Sequence, residues 1–503
     1  MSRAAADLKG DIRAGLAFSG SSFALRTGID FATSIALGRL LSPSVFGVVA
    51  VGAAFLQLSY VVGNLGMAGA LIQARVLTVR DRHTAYILSA ATGLVLALLG
   101  AAGASVAAAF FGMPVIAQVL PLMSVQLLIS GLAATPAAIL RRDLRLKPLA
   151  IMETAAACLN AAVSIGFAIA GHGVWSLVWG PLGSGLALLL ALHLATGYVP
   201  RLEFDREAAR CLLGFGGTLT VKNLLVHLGR HADNLVVARS LGEAATGLYT
   251  RAFNLSTLPQ ERLVSVLYGV CFPAFCRLRD DASRFQAWYL KATRAVAVVV
   301  SPLLVGLAVV AHDATLVLLG SAWIGMVRPL QILCAAGLLN SLHMLGGAAI
   351  EASGRLRYEV TTQMTYAALV VAGSLVGARY GISGAASGVL AASVTLYGLK
   401  ALTLHAAIGL SPRRYLLSVV PAVAAAAVMG AVVALVAALT RGSGEPGATL
   451  RLVVGIGVGA AVYPPVLRLL ASDDFHLVFD QVRDLIRGRL LPAARVPGRY
   501  SEA

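Results

Sequence analysis

Long apolar runs recur along the whole 503-residue chain and are separated by short polar breaks. Each run is close to the ~20 residues that a helix needs to cross ~30 Å of hydrocarbon. Ala, Leu, Val and Gly follow one another without the period-two alternation of transmembrane strands, so the pattern predicts helices. We predict about fourteen spans, near residues 14–38, 45–70, 84–110, 115–139, 149–170, 174–196, 212–238, 247–272, 287–311, 327–350, 358–378, 382–406, 415–440 and 450–470.

Composition agrees with this pattern, since 58% of the residues are hydrophobic and only 13% are charged. Soluble domains are usually about 45–50% apolar and about 25% charged. The sequence therefore predicts an all-α, multi-pass membrane protein with no soluble domain large enough to fold alone. No pair of the five cysteines has metal or redox spacing, and we predict neither a metal site nor a cofactor.

The net charge of +17 has two explanations, a nucleic-acid partner or the excess of basic residues in cytoplasmic loops of membrane proteins. With a cytoplasmic N-terminus, 28 of the 40 Lys and Arg residues fall on cytoplasmic segments and 6 on the opposite side. This imbalance favours the second explanation. We predict cytoplasmic N- and C-termini, a phospholipid membrane as the environment and no nucleic-acid partner.

The C-terminal tail, residues 471–503, carries apolar residues at helical spacing from Phe475 to Leu490, with Arg483 and Arg487 on another face. This pattern predicts an amphipathic helix on the cytoplasmic leaflet. The alternative is a helix that docks onto a partner protein.

A short motif recurs after 200 residues: Arg39, Leu41 and Gly47 match Arg239, Leu241 and Gly247. Six predicted spans separate the two copies, and this even number gives both copies the same orientation. We therefore predict two parallel six-helix lobes around a central cavity, at 1–200 and 201–408. Two further helices follow at 409–470, before the tail.

A few spans carry charges that cost ~2.5–3.5 kcal/mol each at mid-membrane and therefore usually face a wet cavity or a partner. Arg26 and Asp30 lie four residues apart on the first span, an arrangement in which they can pair. The seventh and eighth spans carry the others, which are Lys222, Arg230, Asp233 and Arg251. Lys400 lies near a cytoplasmic helix end, where we expect it to extend to the membrane surface.

An excess of cations in a cavity predicts an anionic substrate, since Arg suits phosphate through its fork of donors and Lys acts as a point charge. The candidate binding residues are Arg26, Lys222, Arg230 and Arg251. Asp30 and Asp233 are candidate charge partners or ion-coupling groups. Candidate contacts to hydroxyl-rich parts of a ligand are Gln57, Asn64, Asn223 and Asn254. The alternative functions of these side chains are structural ion pairs and helix–helix hydrogen bonds.

The stretch ALGRLLSPSVFGVVA at residues 36–50 closely resembles the first-loop motif of polysaccharide-export flippases. These are the lipopolysaccharide, O-antigen and exopolysaccharide translocases of the multidrug/oligosaccharidyl-lipid/polysaccharide superfamily. RSLGEAATG at 239–247, followed by Leu248 and Tyr249, resembles the second-lobe counterpart, and YGISGAA from Tyr380 resembles a third recurrent turn.

The resemblance implies a two-lobed, V-shaped transporter of a bacterial inner membrane. It would move an undecaprenyl-diphosphate-linked oligosaccharide from the cytoplasmic to the periplasmic leaflet by alternating access, alongside other polysaccharide assembly proteins. Arg26, Lys222, Arg230 and Arg251 match the positions at which family members place cations for the diphosphate-sugar. Fourteen spans differ from the twelve usually drawn for the family.

Three alternatives remain open. The first is a multidrug or small-molecule antiporter of the same superfamily, although such transporters usually carry acidic rather than cationic residues in the cavity. The second is a membrane enzyme of polysaccharide assembly, for which we would expect a large external loop with Arg and His. The third is a scaffold for cell-wall assembly. The chain has no Walker A motif, so we do not expect it to hydrolyse ATP. The longest external segment that the pattern predicts, roughly residues 312–326, is short and apolar, so we do not expect the chain to be an enzyme.

Overall fold

The computed structural model describes the backbone of most of the chain, namely residues 3–64, 71, 78–201, 203–440, 444–473 and 475–476. Within these ranges the side chains of residues 3–19, 60–64, 207–208, 211–230, 265–266 and 444–445 are not described. The predicted amphipathic helix of the tail lies almost wholly outside the described residues.

Most of the described chain is α-helical, as the apolar runs predict. The α-helices, in chain order, are α1 Arg3–Leu40, α2 Pro43–Asn64, α3 Val79–Phe111, α4 Ile116–Arg142, α5 Leu146–Ile169, α6 Ser176–Thr196, α7 Arg206–Pro259, α8 Ser265–Arg277, α9 Ala282–Val309, α10 Ala311–Leu318, α11 Val327–Ala352, α12 Leu356–Ala378, α13 Gly381–Ile408, α14 Pro412–Ser418, α15 Val420–Leu439 and α16 Gly444–Leu470. Short 3₁₀ turns cover Gly173–Trp175 and Ser321–Met326, and a π-helical turn covers Gln260–Val264.

Ten helices in the described part of the chain are long and apolar enough to cross a membrane. They match ten of the predicted spans, and the all-α polytopic architecture is confirmed. The first, second, seventh and eighth predicted spans fall on α1, α2, α7 and α8, which are not among these ten. The count of fourteen is therefore not confirmed.

Local signals explain where several helices begin and end. The Thr78 hydroxyl accepts from the Asp81 backbone N–H and the Asp81 carboxylate accepts from Thr78, which forms a capping box at the start of α3. Gly112 ends α3 in the left-handed conformation, with φ of 68°, that glycine adopts at low cost. Asp281 caps α9 by accepting a hydrogen bond from the Arg284 backbone N–H.

The seventh predicted span and the first part of the eighth form one long helical segment, α7, which turns at Gly242, whose φ of 81° a residue with a side chain rarely adopts. The sequence places the boundary between the two spans within residues 239–247, and the structure places the turn at Gly242. A π-helical turn at Gln260–Val264 follows Pro259 directly and interrupts the α-helical pattern before α8.

The chain forms two compact units. Unit 1 comprises Met1–Ala252, Leu318–Pro329 and Gln363–Val389, and unit 2 comprises Phe253–Val317, Leu330–Thr362 and Leu390–Ala503. In unit 1, α3 packs on α4, α5 on α6 and α1 on α5. In unit 2, α15 packs on α9 and α16. The predicted lobe bounds at residues 200 and 408 stay predictions.

Within unit 1, the two copies of the repeated motif contact each other reciprocally. A Cβ atom on Gly47 would lie 1.8 Å from the carbonyl oxygen of Glu243, and one on Gly247 would lie 1.8 Å from that of Pro43. Adding 200 to Gly47 and Pro43 gives Gly247 and Glu243, so each of the two contacts is the counterpart of the other. Two copies related by an approximate two-fold axis produce this pattern, so the contact supports the internal repeat.

The arginines of the two motif copies, Arg39 and Arg239, also contact residues of the opposite predicted lobe. Arg39 of the first copy donates from Nε to the carbonyl oxygen of Leu318, which ends α10, at 3.3 Å. Arg239 of the second copy places Cζ 5.4 Å from the ring centroid of Phe110, near the end of α3. Each arginine therefore contacts a helix end that belongs to the other predicted lobe, 201–408 for Arg39 and 1–200 for Arg239.

Within unit 2, an ion pair and a hydrogen bond fix the last helix. Arg451 of α16 donates from Nη2 and Nε to the Asp313 carboxylate, at 2.8 and 3.2 Å. The Tyr463 hydroxyl donates to the carbonyl oxygen of Val298 at 2.8 Å. These contacts attach α16 to α9 and α10, so the C-terminal pair of helices is an integral part of this unit.

Candidate functional site

The guanidinium of Arg26, on α1, pairs with Glu153 on α5: its Nη1 lies 2.6 Å from Oε2 of the carboxylate. The other carboxylate oxygen of Glu153 lies 3.4 Å from Nη2 of Arg141, in the last turn of α4. One carboxylate thus joins two arginines from two other helices. We call Arg26, Arg141 and Glu153 the shared-carboxylate cluster.

The structure gives Arg26 a different partner from the one that spacing suggests. Spacing suggests a pair with Asp30, four residues along the same helix, but Asp30 is exposed and the ion pair of Arg26 in the structure is with Glu153, 127 residues away. The expectation of an Arg26–Asp30 pair is therefore wrong. The Arg26 side chain is 32% exposed, so it remains accessible to an anion.

Arg251 lies in the helical segment after Gly242 and is held by its neighbours in unit 1. Its Nη2 donates to the carbonyl oxygen of Ser34 at 2.5 Å. Its Cζ lies 4.9 Å from the Phe46 ring centroid and 5.7 Å from that of Trp323. Guanidinium–aromatic contacts of this kind contribute roughly 0.5–2 kcal/mol each. This geometry supplies partners that the sequence did not reveal, and the substrate role of Arg251 stays a prediction.

Trp323 packs beside Arg251, and its indole Nε1 donates to the carbonyl oxygen of Gly38 at 2.8 Å. Its ring meets Phe46 edge-on, with centroids 5.2 Å apart. A Cβ on Gly38 would lie 2.5 Å from Cδ2 of Leu319, just before the 3₁₀ turn, so a larger residue at this position would require the Leu319 side chain to move.

Asp233 is buried, with 1% of its surface exposed, and is hydrogen-bonded across the Gly242 turn. The Tyr249 hydroxyl donates to its Oδ2 at 2.8 Å, and the Thr250 hydroxyl donates to Asn234 Oδ1 at 2.9 Å. Both contacts join the helix before the turn to the helix after it. Asp233 therefore stabilises this helical hairpin, and its proposed ion-coupling role stays a prediction.

The remaining candidates are less informative. Gln57 and Asn254 are exposed on α2 and α7. The side chains of Asn64, Lys222, Asn223 and Arg230 lie outside the described residues. Among the described residues, His, Cys, Asp and Glu form no group of three that could hold a metal ion.

Sequence reasoning missed a buried ion pair in unit 2. Lys400 of α13 is fully buried, and its Nζ donates to Oε2 of Glu359, on α12, at 2.7 Å. The expectation that Lys400 extends to the membrane surface is wrong. Two glycines of α11 make room for the pair, since a Cβ on Gly346 would lie 3.0 Å from Lys400 Cδ and one on Gly347 would lie 3.0 Å from Glu359 Oε1.

The chain is similar over most of its length to proteins of polysaccharide biosynthesis. It is 26% identical to the succinoglycan biosynthesis transport protein ExoT of Rhizobium meliloti, covering 91% of this chain and 92% of that protein. It is 24% identical to the lipopolysaccharide biosynthesis protein WzxC of Escherichia coli, covering 70% and 73%.

Solved structures with low sequence identity share the fold. The lipid II flippase MurJ, in an inward closed conformation, superposes with a TM-score of 0.70 at 14% identity, covering 94% of this chain and 100% of that one. An inward-facing multidrug resistance MATE transporter gives a TM-score of 0.61 at 15% identity, covering 76% and 95%. The transporter fold implied by the sequence motifs is therefore confirmed.

The family described as "Polysaccharide biosynthesis protein" matches residues 36–328, which is more than half of the chain and begins at the first residue of the motif quoted above. This match and the relatives confirm the resemblance noted from the residues alone. The chain is a multi-pass membrane protein, and it belongs to the polysaccharide biosynthesis protein family.

Proposed function

We propose that the chain is a flippase that moves a polyprenyl-diphosphate-linked oligosaccharide from the cytoplasmic to the periplasmic leaflet of a bacterial inner membrane. The observation that carries the proposal is the near full-length similarity to a succinoglycan biosynthesis transport protein. The arginines on α1 and α4 support an anionic substrate, because a diphosphate accepts the paired donors that guanidinium groups present.

The cycle is alternating access without covalent chemistry. The lipid tail stays in the bilayer while the charged, hydroxyl-rich head group crosses through a cavity that is lined by cations. Arg26, Lys222 and Arg230 bind the diphosphate, and Gln57, Asn64, Asn223 and Asn254 contact the sugar. Both termini lie in the cytoplasm, and the substrate is supplied and received by other polysaccharide assembly proteins.

The multidrug antiport alternative is less well supported. The likeness to the multidrug transporter concerns the fold, and the accessible charge cluster on α1 and α4 holds two cations against one carboxylate. A cationic drug would be repelled by this excess, whereas a diphosphate would be attracted.

The test is complementation of a deletion strain. Arg26→Ala, Lys222→Ala and Arg230→Ala should each abolish surface polysaccharide while the protein still accumulates in the membrane. Lipid-linked oligosaccharide should build up on the cytoplasmic leaflet. The control is Arg201→Ala, because this side chain is 71% exposed and lies outside the candidate set. Full polysaccharide production by all three variants would contradict the site.

A further inference from the structure

We propose that the Glu153 carboxylate occupies the position that the substrate's phosphate takes when it binds. It occupies Arg26 and Arg141 before the substrate binds, and a diphosphate displaces it. This inference rests on the proposed flippase function and adds to it an anion-capture site and a positioning residue. It assigns a binding role to Arg141 and Glu153, which sequence reasoning did not single out.

The geometry of the shared-carboxylate cluster matches what a diphosphate requires. Two guanidinium groups converge on one carboxylate, with Nη1 of Arg26 2.6 Å from Oε2 and Nη2 of Arg141 3.4 Å from Oε1. Each guanidinium has five N–H donors, whereas a carboxylate offers about four lone-pair positions. Glu153 therefore leaves most of the donors unused, and an anion with more oxygens can engage more of them.

The net charge of the shared-carboxylate cluster also favours a diphosphate over a single carboxylate. Two arginines and one glutamate leave the cluster with an excess of one positive charge. A diphosphate carries more negative charge than one carboxylate, so it competes favourably for both guanidinium groups.

The cluster is also accessible enough for its partner to be exchanged. The side chains of Arg26, Glu153 and Arg141 are 32%, 26% and 52% exposed. In the wet cavity that we predict around the charged spans, such an ion pair is weak, because water screens the charges and holding two long side chains in one geometry costs entropy. Lys400 and Glu359 differ in this respect, since their side chains are only 0% and 8% exposed.

The position of the cluster suits capture from the cytoplasm. Arg141 lies in the last turn of α4, and Glu153 lies seven residues after the start of α5, or ~10 Å along the helix. The basic segment Arg141–Lys147 connects these two ends, and it is cytoplasmic in the predicted orientation. When the diphosphate displaces Glu153, the ion pair between α1 and α5 is released, which couples substrate capture to the packing of α1.

The experiment measures binding of inorganic pyrophosphate to the full-length protein in phosphatidylcholine nanodiscs by calorimetry. Removing the competing carboxylate should strengthen binding, so Glu153→Gln should lower the Kd about two- to fivefold, as expected for loss of a weak, exposed pair. Arg26→Ala and Arg141→Ala should raise the Kd. Glu153→Asp keeps the charge and should bind pyrophosphate as the wild type does.

Glu203→Gln is the matched control, because it makes the same change in net charge at an exposed glutamate 3.9 Å from Arg201. It should leave the Kd unchanged. A structural role for Glu153 predicts the opposite sign, since loss of the pair would then weaken both folding and binding. Equal or weaker pyrophosphate binding by a folded Glu153→Gln variant would overturn the proposal.

A second arm separates a diphosphate from a lipid headgroup. Nanodiscs that contain phosphatidylglycerol should not reduce pyrophosphate binding; full competition by this lipid would make the cluster a headgroup site and overturn the proposal. Failure of the proposed capture site can be distinguished from failure of the proposed flippase function. Transport by the wild type tests the latter, whereas the sign of the Glu153→Gln effect tests only the capture site.

Discussion

Lys400 and Glu359 form an ion pair in the interior of unit 2, with 2.7 Å between Nζ and Oε2. Taking both charges out of water costs several kcal/mol per ion, and their mutual attraction repays this cost only while both partners are present. The pair therefore makes α12 and α13 depend on each other.

We expect the single variants Lys400→Met and Glu359→Gln to be strongly destabilised, by about 3–5 kcal/mol, because each leaves one buried charge alone. The double variant should be less destabilised than the sum of the two. Equilibrium unfolding in detergent micelles measures the three free energies of unfolding and the coupling energy. Additive effects would show that the two side chains do not depend on each other.

At this scale the sequence predicts which residues matter better than it predicts what they contact. Arg26 and Arg251 stand out because a charge within an apolar run is costly. Their partners lie 127 and 217 residues away, at Glu153 and Ser34, and no local spacing reveals them. The ion-pair partner of Lys400 is hidden from local spacing for the same reason, since Glu359 is 41 residues away.

The closest approach between elements that we find in unit 1 is the reciprocal contact of Gly47 and Gly247. At either position a Cβ would lie 1.8 Å from a backbone carbonyl oxygen, which cannot move independently of its helix. Ordinary contact needs ~3.5 Å, so the two backbones would have to separate by roughly 1.5–2 Å.

Gly47→Ala and Gly247→Ala should therefore lower the melting temperature and reduce surface polysaccharide. Gly103→Ala is the matched control, because a Cβ there meets nothing within 4 Å. Alanine also favours helix formation by about 1 kcal/mol over glycine, so the control should be neutral or stabilised. If Gly47→Ala and Gly247→Ala melted at the temperature of the control, the packing described here would be incorrect.

Helices were predictable because twenty-residue apolar runs leave few alternatives in a membrane. The motif offset also identified two segments that prove to contact each other. The position of the turn inside α7 was only bracketed by residues 239–247, since its cause is one φ value at Gly242 and not a polar loop. The π-helical turn after Pro259 likewise has no signal beyond the proline itself.

We predict the orientation of the whole molecule in the membrane from the imbalance of basic residues between its two sides. A variant that retains Cys276 as its only cysteine tests this, because Cys276 is exposed beside Arg277 on the predicted cytoplasmic side. A membrane-impermeant maleimide should label it only after the cells are broken open. A cysteine placed at the exposed Arg379 position should be labelled in intact cells.

The reverse labelling pattern would invert the topology and, with it, the direction of transport. Class and fold at this scale followed from composition and motif, and the comparisons confirm them. The two lobes and their boundary remain predictions, because a repeat of nine residues locates a correspondence and not the limits of a packed body.

In the proposed function, this chain moves a lipid-linked oligosaccharide between the two leaflets of the membrane. The most direct measurement places the purified protein in vesicles that contain fluorescently labelled polyprenyl-diphosphate oligosaccharide and follows the label with a membrane-impermeant quencher. We expect vesicles with the wild-type protein to exchange the label between leaflets, and vesicles with Arg26→Ala to exchange it far more slowly. Exchange by the wild-type protein no faster than in protein-free vesicles would show that the chain is not a flippase for this lipid.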